Sequence, residues 1–198
     1  MIVTEISELK NKCENVSLEE GIKIGERLST ELEKTNGIGL AANQIGVNAN
    51  VCLIKVKDPI LLINPEIIEK SKEKFLFIEG CLSFPEKVAK VIRHKWVKVK
   101  ADNHPGEMLF SVWDQNNEDG YDKDKYLSYA LETACVQHEI DHLNGITMFD
   151  REIKINTEVK KEKIGRNTKV SIKKDNQTKI LKYKKAEKLL EDGWTLVE

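Results

Sequence analysis

The spacing of apolar residues divides the chain into a helix, a run of short strands, a second helix and a compact tail. Over residues 17–35, Leu18, Ile22, Gly25, Leu28 and Leu32 recur at helical spacing, and Ser17 and Glu20 have the separation of a capping box. Asn36-Gly37 supplies a stop, and the small-residue run from Gly37 to Gln44 lets backbone and ligand approach closely. Residues 51–56, 60–63, 88–92, 97–101 and 108–113 read as strands; Val97, Val99 and Ala101 alternate with Lys98 and Lys100 as on a half-buried sheet. Residues 114–125 carry Asp114, Asp119, Asp122 and Asp124 and read as a solvated loop. A second helix is expected over 126–143, with Leu127, Leu131, Ala134, Cys135, His138 and His142 on one stripe and Asn144-Gly145 as its end. In the tail, 169–172 and 178–183 read as strands, 185–191 as a short helix, and 194–197 as a last extended piece.

Composition narrows the class. A chain of 198 residues suits one domain, or one domain with a small appendage, and buries a core without staples. The net charge of -1 gives no reason to expect nucleic acid as the main partner. The charge is uneven, however: residues 151–198 hold 14 Lys+Arg against 8 Asp+Glu, a net of +6, which leaves -7 for the first 150. The start of the chain lacks the pattern of a signal peptide, and no apolar run nears the ~20 residues of a membrane span. Cys13, Cys52, Cys81 and Cys135 form no CxxC pair, which suits free thiols in a reducing compartment. The expectation is a cytoplasmic protein with no membrane partner.

The segment His138-Glu139-Ile140-Asp141-His142 carries the clearest chemistry. Histidines four apart on a helix share a face and can bind one metal ion, and the glutamate beside the first can take a proton from water held by that ion. The competing reading is a surface helix that happens to carry these residues; the apolar stripe running into both histidines argues for a site. A catalytic centre needs a third protein ligand. Downstream lie Asp150, Glu152, Glu158 and Glu162 but no further histidine. Upstream lies Glu79-Gly80-Cys81-Leu82-Ser83, a cysteine in a tight Gly-containing turn. Alone, such a cysteine reads as a small buried hydrophobe. Cys13 and Cys52 also read as buried thiols, and His94 and His104 receive no function.

Three segments together resemble the signatures of the peptide deformylase family, in its order and near its spacing: Gly37-x-Gly39-x-Ala41-Ala42-x-Gln44, Glu79-Gly80-Cys81-Leu82-Ser83, and Gln137-His138-Glu139-x-Asp141-His142-Leu143-x-Gly145. The resemblance covers about residues 17–150. It implies that Cys81, His138 and His142 bind one divalent metal, Fe2+ in the first place, with Zn2+, Ni2+ or Co2+ as replacements. It makes Glu139 the general base, and the Gln44 amide and the Leu82 backbone N–H the donors to the oxyanion. Ile38, Gly39 and Gly80 would pair with an extended peptide, and Ile38, Phe77, Leu131, Ala134 and Cys135 would form the methionine pocket. Asp141 would orient a ligand or the helix.

The implied activity is removal of the formyl group from the N-terminal methionine of nascent polypeptides. The implied fold is α+β, with mostly antiparallel sheets wrapped around a central metal-binding helix and a small basic C-terminal appendage. The corresponding division is a catalytic domain over 1–150 and an extension over 151–198, whose twelve Lys+Arg between 160 and 188 suggest contact with the ribosome. Three features depart from the family pattern: a short N-terminus without a His-Pro-Asp segment or its strand, an acidic insertion at 114–126, and the tail from Thr157 onward. Two other readings stay open: an HExxH metallopeptidase with a ligand downstream of His142, and a metal-bearing binding protein without turnover.

Overall fold

In the computed structural model, residues 2–113, 123–153, 165–175 and 177–197 are described. The chain forms two compact units, Met1–Ile153 and Lys154–Glu198. The larger begins with a single helical turn, α1 (Ile6–Leu9), followed by α2 (Leu18–Leu32), whose first turn is capped by Ser17 accepting from the Glu20 N–H at 3.3 Å. Residues 2–5 form no strand; the Val3 N–H instead donates to the Gln44 carbonyl at 2.8 Å.

Strands β1 (Gly39–Ala41), β2 (Val51–Ile54) and β3 (Ile60–Ile63) form one antiparallel sheet in the order β1-β2-β3. Every residue of β2 is buried. Val51 and Leu53 join Ile24, Leu28 and Leu32 of α2 in one core, while Cys52 and Ile54 face the other way into a second core. Gly21 and Gly25 let α2 lie close to β3: a Cβ at either would come within 2.6 Å of Ile63 or Leu61.

The second core gathers around α3 (Lys123–Leu143). From Thr133 to Leu143 every residue of this helix is buried, so the segment has no solvent face. Val136, Ile140 and Leu143 pack with Ala41, Cys52, Ile54 and Leu62, and with Val97, Val99 and Phe110. Those last three come from the sheet β4-β7-β8, built from β4 (Glu66–Lys70), β7 (Trp96–Lys100) and β8 (Glu107–Ser111). At the C-terminal end of α3 the Gly145 N–H reaches the His142 carbonyl at 3.0 Å and the Ile146 N–H reaches Asp141 at 2.9 Å, with Gly145 at φ 72°. Only glycine fits there, because a Cβ would also run into the Lys10 carbonyl.

A long hairpin, β5 (Lys74–Cys81) with β6 (Phe84–His94), completes the unit, followed by one helical turn, α4 (Met148–Arg151). The sequence reading foresaw only 88–92 of this hairpin and placed Cys81 in a turn. Cys81 is instead the last residue of β5, and Leu82-Ser83 make the turn. The strand was hidden because both of its rows hold apolar residues: Phe75 and Phe77 on one, Leu76 and Ile78 on the other. The acidic insertion also changes: residues 123–126 already belong to α3, and the rest of it, 114–122, lies outside the described residues.

In the smaller unit β9 (Lys169–Lys174) pairs antiparallel with β10 (Gln177–Lys182) on one side and β11 (Thr195–Val197) on the other. α5 (Tyr183–Glu191) precedes β11, and Ile172 with Ala186 forms the unit's fully buried centre. The two expected strands and the helix are present. Among the described residues, no helix is long and apolar enough to cross a membrane.

Candidate active site

Three elements meet at one cleft of about 590 Å³ in the larger unit. The segment through Gly39 to Gln44 forms one wall, the end of β5 and its turn a second, and α3 the floor. Among the lining residues are Ile38, Gly39, Gln44, Phe77, Gly80, Cys81, Leu82, Leu131, Ala134, Cys135, His138 and Glu139. Every residue given a role at the site from the sequence therefore lines this cleft except Asp141 and His142, both of which are buried.

Cys81 Sγ, His138 Nε2 and His142 Nε2 point at one another: Sγ lies 3.2 Å from His142 Nε2, which lies 3.1 Å from His138 Nε2. The bonds around them fix the protons. His138 Nδ1 donates to Glu79 Oε2 at 2.9 Å, which turns its Nε2 toward the centre. Burial holds His142 well below the usual imidazole range and hence neutral. For His138, burial alone would do the same, but hydrogen bonds with Cys81 and Glu79 outweigh it and lift the imidazole to about 10.

Two imidazole nitrogens and a sulfur that converge this closely need a proton or a metal cation between them. A tetrahedral ion with bonds of about 2.0–2.3 Å needs donors roughly 3.3–3.7 Å apart, close to what is present. The residues fit a metal ion. One thiolate and two imidazoles suit Fe(II), Zn(II), Co(II) or Ni(II).

The sequence reading missed what holds this centre in place. Arg93, on β6 and almost completely buried, clamps both oxygens of Glu79 at 2.6 and 2.8 Å and bonds Asp141 at 2.5 Å. Burial opposes ionisation of Glu79, yet its bonds from Arg93 and His138 hold it down at about 2. Asp141 in turn accepts two bonds from Arg151, at 2.8 and 3.1 Å. Asp141 therefore meets the centre through Arg93 and Glu79. The available signal was the polar Arg93 in an otherwise alternating strand, where an inward-facing guanidinium demands a buried carboxylate.

Gln44 is fixed by both ends of its amide. Its Oε1 accepts the Ala41 N–H at 2.9 Å, so Nε2 points the other way, to Ser83 Oγ at 3.1 Å and Cys81 Sγ at 3.4 Å. Glu139 reaches the cleft from α3 beside Gly39 and Cys135, and one of its carboxylate oxygens has no protein partner. Burial pushes its carboxyl up to about 7, so it exchanges a proton near neutrality. Gly39 is required by closeness, since a Cβ there would collide with the Glu139 carboxylate and come within 2.6 Å of Cys135 Sγ. Cys135 donates weakly to the Ile38 carbonyl at 3.5 Å and stays far above its usual range through burial, as expected of a pocket wall and not a ligand.

Known proteins resemble this chain in sequence and fold. The family model for polypeptide deformylase matches residues 2–161. A peptide deformylase of Pseudothermotoga lettingae is 38% identical over 144 residues, covering 72% of this chain and 75% of its own. One from Brachyspira hyodysenteriae is 35% identical over 189 residues, covering 89% of this chain and 92% of its own, more than the larger unit alone holds. The crystal structure of peptide deformylase from Thermotoga maritima superposes with a TM-score of 0.64 at 32% identity, covering 77% of this chain and 97% of that one. A fold of mixed helices and strands, a cleft with a Cys-His-His cluster, and a family match over four-fifths of its length place this chain in the peptide deformylase family.

Proposed function

We propose that this protein removes the formyl group from the N-terminal methionine of newly synthesised polypeptides, releasing formate and a free α-amine. The observation that carries the reading is the meeting of a Cys-His-His donor set, the Glu139 carboxylate and the fixed Gln44 amide in one cleft. Cys81 of β5 with His138 and His142 of the central helix α3 would hold one divalent ion, Fe2+ by family resemblance. When bound, such an ion supplies a nucleophile at neutral pH by lowering the pKa of the water it holds to about 7.

The chain's own residues do the rest. Ile38, Gly39 and Gly80 pair with the substrate backbone as an added strand, and Ile38, Phe77, Leu131, Ala134 and Cys135 receive the methionine side chain. Glu139 takes the proton from the attacking water and returns it to the leaving amine, a task suited to a carboxyl near 7. Gln44 Nε2 and the Leu82 N–H donate to the oxygen that becomes negative. The tether of Gln44 Oε1 to Ala41 pre-sets the first of these donors.

The catalytic domain is residues 1–150. Residues 151–198 form a basic extension that contacts the ribosome, and the protein works in the cytoplasm. The two other readings find less support. Among the described residues, no carboxylate or histidine downstream of His142 joins the donor set. Gln44 and Glu139 both stand in place at the cleft, which suits turnover more than binding alone. The test is formate release from formyl-Met-Ala-Ser by protein loaded anaerobically with Fe(II). Release that requires the metal supports the reading; cleavage of unformylated peptide bonds in its place would support a peptidase.

A further inference from the structure

The sheet of the smaller unit has two unlike faces. Residues directly opposite one another share a face, so Ile172 lies with Lys179 and Leu196 on the side that packs on α5, where Ile172 and Ala186 are fully buried. The alternate row points the other way: Lys169 stands opposite Lys182, and Lys173 lies between Thr178 and Thr195. This second face is open. Ile180, at its middle opposite Ser171, is 73% exposed, and all three lysines are exposed.

Charge separates the faces further. No strand residue of the open face is acidic, and among the described residues none of its three lysines is in an ion pair. Asp175 lies in the β9–β10 turn, and Glu187 sits on α5 among Lys184, Lys185 and Lys188. On the covered side, Lys174 donates to the Asp192 carbonyl at 2.6 Å and Lys179 lies 4.5 Å from the centre of the Trp194 ring. Lysines directly opposite each other, as Lys169 and Lys182 are, cost the sheet stability unless an anion lies over them. Lys173 stands four residues along β9 from Lys169, about 13 Å away. That spacing follows a line of anions and does not converge on a single one.

We propose that the open face of the β10-β9-β11 sheet binds the phosphate backbone of helical RNA. The inference rests on reading the extension as a ribosome contact, and it names the surface and its chemistry. Ser171 and Thr178 set hydroxyls among the lysines, the groups that contact phosphate and 2′-OH. No aromatic residue stands in the rows of this face. It therefore offers no platform for unstacked bases, which favours a duplex over a single strand.

The probe is an RNA duplex of about 20 base pairs and arbitrary sequence, titrated with the full-length protein between about 50 and 200 mM salt and read by fluorescence anisotropy. Two triple variants lose the same charge from exposed positions: Lys169→Gln with Lys173→Gln and Lys182→Gln on the sheet, and Lys184→Gln with Lys185→Gln and Lys188→Gln on α5. The sheet variant should bind about tenfold more weakly or worse, and its slope of log affinity against log salt should be shallower by about 2–3, roughly one per lost phosphate contact. The α5 variant should stay within about threefold of the native protein, and arginine at the three sheet positions should restore binding. A single strand of the same sequence and a DNA duplex should each bind at least about threefold more weakly than the RNA duplex. Equal losses in the two variants would reduce the effect to net charge and overturn the proposal. So would absence of binding by the native protein at the lowest salt, or a single strand or DNA duplex bound as tightly as the RNA duplex. The ribosome reading fails separately, when deletion of 157–198 leaves co-sedimentation unchanged whatever the purified duplex does.

Discussion

The His138 Nδ1–H donates to Glu79 at 2.9 Å, and Arg93 holds that same carboxylate through both of its oxygens. The orientation of a metal-ligating imidazole is thus set from β5 and β6, not from its own helix. Glu79→Gln keeps the size but breaks the paired fork. Metal affinity, read by competition with a chelator, should fall about 10–100-fold. Stability should fall by roughly 3–5 kcal/mol, because Arg93 loses a buried partner. Unchanged affinity would mean that His138 needs no such support.

Gln44 makes a separable prediction. Gln44→Leu removes the amide donor, and with it the 3.4 Å contact to Cys81 Sγ, while Cys81, His138 and His142 all remain. Metal content should stay stoichiometric while kcat falls about 10²–10³-fold, the usual weight of one oxyanion donor. A rise in KM alone would show that the amide binds substrate without favouring the transition state.

Asp150 links α4 to the N-terminal segment, accepting from the Thr147 N–H at 2.7 Å and pairing with Lys10. Burial works against its ionisation, but the bonds from Lys10 and Thr147 win and lower it from 3.8 to about 2. A carboxyl depressed on folding contributes stability above its unfolded value and loses it as pH falls toward the folded one. The advantage of the native protein over Asp150→Asn should therefore be full above pH 4 and shrink between 3.8 and about 2. The pair is partly exposed, so the full advantage is at most about 1 kcal/mol. An advantage that is constant with pH in denaturant titrations would contradict this.

The tail offers a different kind of test. Residues 160–188 carry twelve Lys+Arg against Glu162, Asp175 and Glu187, a net of +9. Deleting 157–198 should leave turnover of a short formyl peptide nearly unchanged while abolishing co-sedimentation with ribosomes at low salt. Full-length binding should weaken steeply as salt rises, as phosphate contacts do. Equal co-sedimentation of both forms would remove the ribosome from the account.

The legibility of this molecule followed the contrast between neighbouring residues. α2 was readable because Ser17 caps it and Gly25, Leu28 and Leu32 recur at helical spacing, although its buried stripe continues through Gly21 and Ile24 and leaves the expected Leu18 and Ile22 half exposed. α3 was readable because Gly145 ends it so sharply. The residues of the cleft were readable because three short segments resemble one family, not because any segment sufficed alone. β5 was not readable, since Phe75, Leu76, Phe77 and Ile78 in succession erase the alternation that marks a half-buried strand. β1 escaped as well: three small or apolar residues, all buried, give no pattern. The Arg93–Glu79–Asp141 network was hidden for another reason. Its members lie 14 and 48 residues apart, and only the pairing of β5 with β6 over α3 brings them together.

The central claim is that Glu139 moves the proton in a centre that Cys81, His138 and His142 hold. Glu139→Gln tests it most directly, with metal content and formate release measured on the same anaerobic preparation. The account predicts one metal ion per chain, as in the native protein, and turnover of formyl-Met-Ala-Ser reduced by about 10²–10⁴-fold or more. Near-native turnover with the metal in place would contradict it.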